Sequence, residues 1–376
     1  MKIPAIHEPY DSTSHEFELY IESLKHLSEA ELDMKVIAAK KLALKTNEHI
    51  ADYIALGTAA LILKSRRAGD AIENYLAAED TQVTVFVIQP IFNEADRMSP
   101  RSESNPHGEN ALLYRVGRFV ALHTANPRIN FHLIVVDDGC DGGGDVERKS
   151  SHVAQRLLEQ ASGSGITTEV ILLDDLIRDA GKYGWNPGIE SAADSVKGGS
   201  IIGGFAYARS LSAKDTSDEH IFVDIDADLS IHPDQTLLLI EAILIGSNDA
   251  AVASRRAEGA VAWIDHHRDL RGQEYIRAWQ SLLPELAKYV VDINRGMKAF
   301  SSDVIDMIID EVKERTFVYQ VESLNLLAIH GRKIAEVPIS YVDSVALSTQ
   351  AGDTPVQSYD DQMERIRRLA GRARIQ

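Results

Sequence analysis

Three aspartates at alternate positions, Asp224, Asp226 and Asp228, stand in the stretch I-F-V-D-I-D-A-D-L-S-I-H-P-D from Ile221 to Asp234. Carboxylates gathered where a chain leaves an apolar core repel one another and lose hydration, so something must offset that cost. A divalent cation is one answer, and oxygen ligands suit Mg2+ or Mn2+, ions that commonly hold substrate phosphates as well. The plainer alternative is that these acids cap the next helix or face water. Other residue types able to do chemistry occur in similar surroundings. Asp138 lies in D-D-G-C-D-G-G-G (Asp137 to Gly144), where glycines permit close approach of backbone to a ligand. Lys197 opens K-G-G, and a lysine before exposed helix N–H groups suits a phosphate. Arg255 follows an apolar run, and Glu94 ends Q-P-I-F-N-E (Gln89 to Glu94).

The elements that must carry these residues follow from periodicity. The first eighty residues have helical spacing over Ser14 to Leu27, Glu29 to Leu44, Asn47 to Leu63 and Ala68 to Ala78, a helical appendage suited to packing or dimerisation. No role is assigned there to His7, His15, His26 or His49. From Val83 the pattern becomes β-branched: strands are expected at Val83 to Ile88, His132 to Val136, Glu169 to Leu173, Ile221 to Val223 and Ala250 to Ala253. Helices are expected between them at Leu112 to His123, Val146 to Gln160, Ser200 to Arg209 and Gln235 to Ile245. Met98 to Asn110 reads as a mobile loop, and Asp174 to Ser195 as a functional loop or a mobile lid. This is an α/β chain with a mostly parallel sheet, and ligands of such sheets bind where strands end. Asp138, Asp226, Asp228 and Arg255 all fall there.

Composition narrows the function classes. With 39 Lys plus Arg against 57 Asp plus Glu, the net charge of −18 argues against a nucleic-acid surface. Cys140 is the only cysteine, which excludes an internal disulfide and a multi-cysteine metal site. No N-terminal stretch reads as a secretory signal and no apolar run is long enough for a transmembrane segment, so a cytoplasmic location is expected.

The ordered set P-I-F-N-E, V-V-D-D-G, K-G-G, D-A-D-L, S-R, G-M-K-A-F and E-V-P-I resembles the family two glycosyltransferases, with their GT-A nucleotide-diphospho-sugar fold. The dolichyl-phosphate mannosyltransferase-like branch is the most similar, and the resemblance covers about Val83 to Tyr341. It implies a domain of 81–345 between an appendage (1–80) and a basic C-terminal tail (346–376). It implies a metal-dependent hexosyltransferase with a UDP- or GDP-sugar donor and an unidentified acceptor, with inversion favoured by analogy. Pro90, Phe92 and Glu94 would form a nucleotide-contacting turn, Asp138 would bind the base, and Lys197 would lie near ribose and phosphate. Asp226 and Asp228 would hold the metal, Asp226 also the donor diphosphate, and Arg255 the phosphates or acceptor. Asp224 would be a deeper, structural acid. The chain departs from the branch at Ser230, where glutamine is usual, and in Ser340 to Ser344, which lacks the usual basic stretch. With no C-terminal membrane helices, these departures favour a soluble or peripheral-membrane acceptor.

An inverting transfer to a hydroxyl requires a general base, and Asp292 and Glu322 are the candidates. A helix-dipole acid for Glu322 and a strand-edge cap for Asp292 are the alternatives. Val261 to Ala278, dense in charge and aromatics, lines either the acceptor side or water; His266 and His267 read more simply as surface residues. The tail arginines Arg365, Arg367, Arg368, Arg372 and Arg374 suggest anionic lipid, a partner subunit or merely a solvated helix. Two other functions stay open: a nucleotidyltransferase, and a non-catalytic sugar-nucleotide sensor.

Overall fold

Apolar strands of 5–9 residues, buried on both faces, dictate a sheet covered by helices on each side, and that is what forms. The computed structural model describes residues 3–4, 9–46, 49–140, 149–161, 163, 165–293, 296–343 and 358–373. The strands are β1 (Val83–Ile91), β2 (Ile129–Asp137), β3 (Thr167–Leu172), β4 (Glu219–Ile225), β5 (Ala250–Ser254), β6 (Val261–Trp263), β7 (Met297–Ser301), β8 (Ile334–Pro338) and β9 (Ser340–Val342). Seven of them form one sheet in the order β3-β2-β1-β4-β7-β5-β8. Only β7 runs antiparallel to its neighbours, pairing Asp224 with Lys298 and Val252 with Lys298 from opposite sides. A small parallel pair, β6 with β9, stands apart.

Alternation along the strands divides the core. Phe86, Ile88 and Phe222 face one layer, which includes the helix Gly198–Ser212. Val85, Val87 and Val223 face another, covered by Ala111–Ala125, Ser150–Gln160 and Thr236–Leu244.

The N-terminal appendage is three helices: His15–Leu24, Glu29–Ala43 and the 30-residue Ile50–Glu79. The last runs through the break expected at 64–67. Its charged side chains there are all partnered: Lys64 with Asp33, Arg66 with Glu18 and Asp234, and Arg67 with the carbonyls of Lys25 and Leu27. Charge that has a partner does not end a helix. Ile54 to Leu63 is buried nearly all round, as a helix enclosed on every side must be. Lower down, Ala68, Ile72 and Leu76 join the core beneath the sheet. The appendage is thus a layer of the fold.

Two further expectations change. Asp174 to Ser195 contains the helices Leu173–Arg178 and Ala180–Tyr183, and Trp185 is buried. Arg315 pins the stretch by donating to the carbonyls of Pro187 (2.7 Å) and Asn186 (2.9 Å), with its guanidinium 5.5 Å from the Trp185 ring centroid. A free lid is not what the sequence builds there. The tail forms a helix, Tyr359–Ala373, whose Met363, Ile366, Leu369 and Ala370 are buried against the body, while Arg365 donates to Glu314 at 2.9 Å. Arg374, and the residues Asp141 to Gly144 of the glycine-rich motif, lie outside the described residues. Among those described, no helix is long and apolar enough to cross a membrane.

Candidate active site

A cavity of about 230 Å3 opens at the edge where β1, β2, β4 and β5 end. Pro90, Phe92, Glu94, Asp138, Lys197, Asp226, Asp228 and Arg255 all line it. Asp292 and Glu322 do not.

β4 delivers the three acids to different surroundings. Asp224 is wholly buried and accepts hydrogen bonds from the Tyr319 hydroxyl (2.8 Å) and the Lys298 backbone N–H (2.9 Å), so it is a structural acid inside the sheet. Asp226 faces the cavity; its Oδ2 accepts from the Gly296 N–H at 3.1 Å and its Oδ1 contacts Lys197 Nζ. Gly296 lets the chain come this close: a Cβ there would lie 2.3 Å from that carboxylate and displace it. Asp228 accepts from the Ser230 N–H at 3.1 Å.

The two acids of D-D-G also divide. Asp137 holds the turn, accepting from Cys140 N–H (2.9 Å) and Ser151 N–H (3.0 Å). Asp138 lines the cavity, with one oxygen accepting from Lys197 N–H and the other from Ser200 Oγ, both at 2.7 Å. Burial raises its pKa, against those hydrogen bonds. Lys197 itself takes φ +73°, a conformation side-chain-bearing residues rarely adopt. The following Gly198 lets the chain pass Arg315, whose carbonyl carbon would be 2.6 Å from a Cβ. This bend turns the lysine toward Asp226. Burial works to lower the Lys197 pKa, but Asp226, Asp224 and Asp228 outweigh it and leave the ammonium raised.

The motifs do not include the cations behind this turn. Arg115 is fully buried; its Nη2 donates to the carbonyls of Asp226 (2.8 Å) and Asp228 (2.7 Å), and its Nη1 contacts Gln89. Burial lowers it to about 10, so it stays charged at neutral pH. Arg97 pairs with Glu94 and Glu109, and Glu109 accepts from Leu229 N–H at 3.0 Å. Glu94 is pushed up to about 7, chiefly by burial, with Asp228, Glu109 and Asp226 adding to it and Arg97 opposing. A signal for Arg115 did exist: it falls on the same helical stripe as Leu112, Val116 and Phe119, where an apolar residue belongs.

The other half of the cavity is built from distant pieces. Arg255 Nε and Nη2 donate to Asp292 at 2.6 and 2.8 Å, and its guanidinium lies 5.3 Å from the Tyr341 ring centroid. Asp292 is therefore bound in a buried ion pair, which fits poorly with an acid expected to take a proton from substrate. Glu322 is turned elsewhere, accepting from the N–H groups of Lys313 (2.8 Å) and Glu314 (2.7 Å). Arg256 pairs with Asp269, and Arg268 with Asp343 at 2.8 Å. Phe317, Gln320, Tyr359 and Gln362 complete the wall. His266 and His267 are exposed and outside it.

Among the described residues no group of three metal-ligating side chains converges. Two carboxylates with a cation already resting on one of them still fit Mg2+ or Mn2+, which take few protein ligands and fill the remaining positions with water and substrate phosphate.

Comparison with known proteins bears on what the site does. No family model matches the chain. The undecaprenyl-phosphate mannosyltransferase of Micrococcus luteus is 27% identical over 192 residues, covering 47% of this chain and 72% of that protein. Glycosyltransferase AglD of Haloferax volcanii is 25% identical over 265 residues, 70% of this chain and 34% of that protein. Over those spans the chain is similar to glycosyltransferases. Its mostly parallel sheet with helices on both faces is the GT-A arrangement. The chain also has a distant likeness, TM-score 0.46 at 15% identity, to mannosyl-3-phosphoglycerate synthase from Rubrobacter xylanophilus, over 81% of this chain and 79% of that one. It spans about a third of AglD's length.

Proposed function

We propose that this transferase moves a mannose-like hexose from a UDP- or GDP-sugar to a phosphate-bearing acceptor, with Mg2+ or Mn2+ held by Asp226 and Asp228. The observation that carries the reading is one cavity with an acidic half, Asp226 and Asp228 beside Lys197, and a half lined by Arg255, Arg256 and Arg268. The sugar preference leans on the mannosyltransferase of Micrococcus luteus, and so does the acceptor class.

The chemistry follows from those side chains. An acceptor oxygen forms a bond to the anomeric carbon as the bond from that carbon to the donor's β-phosphate oxygen breaks, and the nucleoside diphosphate leaves with the electron pair. The metal, when bound, would neutralise charge growing on the departing diphosphate. Lys197, released from Asp226, would add a second positive charge at the same oxygens. Pro90 and Phe92 would flank the nucleotide, and Asp138 would hold Lys197 by its backbone while its remaining lone pairs meet the base. A phosphate oxygen needs no deprotonation at neutral pH. That suits a cavity in which Asp292 is tied to Arg255 and Asp343 to Arg268. The buried Nε of Arg256, with no partner among the described residues, is a donor suited to an acceptor oxygen.

The test is a thermal-shift screen of GDP, UDP and their hexose conjugates with and without Mn2+, followed by turnover with undecaprenyl phosphate and small organic phosphates. A Mn2+-dependent rise in melting temperature with one sugar nucleotide, and release of its nucleoside diphosphate only when a phosphate acceptor is present, is the expected result. Equal turnover with neutral alcohols would overturn the acceptor class, and no Mn2+-dependent shift with any sugar nucleotide would overturn the donor.

A further inference from the structure

The turn from Asp226 to Asp234 is gripped at both ends by one helix. Arg115 of Ala111–Ala125 holds the carbonyls of Asp226 and Asp228. From the same helix Arg118 donates twice to Asp234 (2.9 and 2.8 Å), and the Tyr114 hydroxyl bonds His232 Nε2 at 2.7 Å. Asp234 is wholly buried, and Arg118 is not its only cation. Arg66 Nε, from the long N-terminal helix, donates to it at 2.8 Å. The far side of that guanidinium donates to both oxygens of Glu18 in the first helix, at 2.8 and 3.0 Å. Arg118 Nη1 lies 3.5 Å from Glu18 too. Two acids and two arginines thus link the N-terminal layer to the chain that leaves β4.

Buried ion pairs contribute little net stability against well-packed apolar residues, because both partners lose hydration. The N-terminal layer already has apolar packing to hold it, in Ala68, Ile72 and Leu76. What a planar guanidinium adds is direction: it fixes a carboxylate in two dimensions at once. Here the carboxylate so fixed is eight residues from Asp226 and six from Asp228, on a turn whose other end is held by Arg115.

We propose that Arg66 and Glu18 are positioning residues of the active site, through which the N-terminal helices set where Asp226 and Asp228 present their oxygens to the cation and the donor phosphates. This rests on the metal-dependent reading of the cavity and assigns the appendage a part in it. Arg66 acts on Asp234, Asp234 on the turn, and the turn on the two ligands.

The experiment uses the full chain as Arg66→Met, Arg66→Lys and the milder Glu18→Gln, with Asp33→Asn, which breaks the exposed Lys64 pair of the same layer, as the control. Amide hydrogen exchange across 226–235 is measured without ligand, and Mn2+ affinity by electron paramagnetic resonance, alone and with GDP or UDP. The expected result is faster exchange at Leu229 and Ser230 in Arg66→Met, with Mn2+ bound roughly tenfold more weakly. Nucleotide binding without Mn2+ should be unchanged, Arg66→Lys should recover part of the loss, and Asp33→Asn should alter nothing. If Arg66→Met fails to fold, Glu18→Gln carries the same comparison. Faster exchange with wild-type Mn2+ affinity makes the network merely structural and overturns the proposal. Wild-type protein that binds no Mn2+ instead sinks the reading of the site beneath it.

Discussion

The two halves of the cavity solve opposite electrostatic problems. In the half proposed for the donor, Glu94, Asp226 and Asp228 crowd together, and the Glu94 carboxyl is driven up to about 7 by burial and by the neighbouring acids, against the pull of Arg97. In the acceptor half each arginine already has its own acid: Arg255 with Asp292, Arg256 with Asp269, Arg268 with Asp343. On the proposed reading, the first half is complete only when a cation and phosphates arrive. The second is assembled beforehand, and its arginines can meet a ligand without first being ordered. Binding at the donor half should therefore depend steeply on metal and pH, and at the acceptor half mainly on shape and spare donors.

The comparison breaks most sharply at the acids. Asp226→Asn and Asp228→Asn are each expected to lower kcat by about a hundredfold to a thousandfold, by analogy with removal of one preorganised charge-stabilising group. Steady-state rates at saturating Mn2+ check this; activity within twofold of wild type in both would remove those residues from the site. Asp292→Asn should act on stability first. It leaves the buried Arg255 guanidinium without its carboxylate, a loss of about 3–5 kcal/mol for a broken buried pair, read as an earlier denaturant midpoint. If Asp292 is a base after all, the variant will instead keep its midpoint and lose turnover.

Tyr359→Ala probes the acceptor wall. The variant is expected to raise the acceptor KM several-fold, in line with about 1 kcal/mol for a lost aromatic contact, and to leave donor KM alone. A change in donor KM would erase the division between halves. The smallest effect concerns Glu94. Its folded pKa lies above the ordinary 4.5, so the folded chain binds the proton more tightly than the unfolded one. Its contribution to stability is then full below 4.5 and declines as pH rises toward 7. Glu94→Gln should flatten that part of the profile, measured from urea midpoints across the interval, and an unchanged slope would show that the acidic crowding is already relieved.

The halves also differ in how plainly they can be read from sequence. Asp138, Lys197, Asp226 and Asp228 each sit just past a strand or just before a helix, so local pattern and the order of short motifs bring them to one edge. Arg268, Asp343 and Gln362 come from three elements whose proximity depends on how helices pack, which periodicity does not encode. Glu322 misled for a related reason: an acid in the first turn of a helix looks the same whether it faces substrate or, as here, the backbone of 313–314. The tail was misread through its charge. Its arginines drew attention away from Met363, Ile366 and Leu369, whose spacing of three marks a buried stripe. The long N-terminal helix runs on through 64–67, where apolar spacing lapses, because the charged residues there meet the tertiary partners Glu18, Asp33 and Asp234.

The reversed strand β7 has a consequence for how such a site can change. Strands β1, β2, β4 and β5 send chain outward at this edge, whereas β7 receives it, so the Gly296 N–H meets the Asp226 carboxylate head-on. The segment arriving at β7 also brings Asp292, and with it the anchor of Arg255. One inbound segment thus bears on both Asp226 and Arg255. A residue added or lost between 292 and 296 would therefore disturb the contacts of Asp226 and of Arg255 together, so neither could be altered there alone.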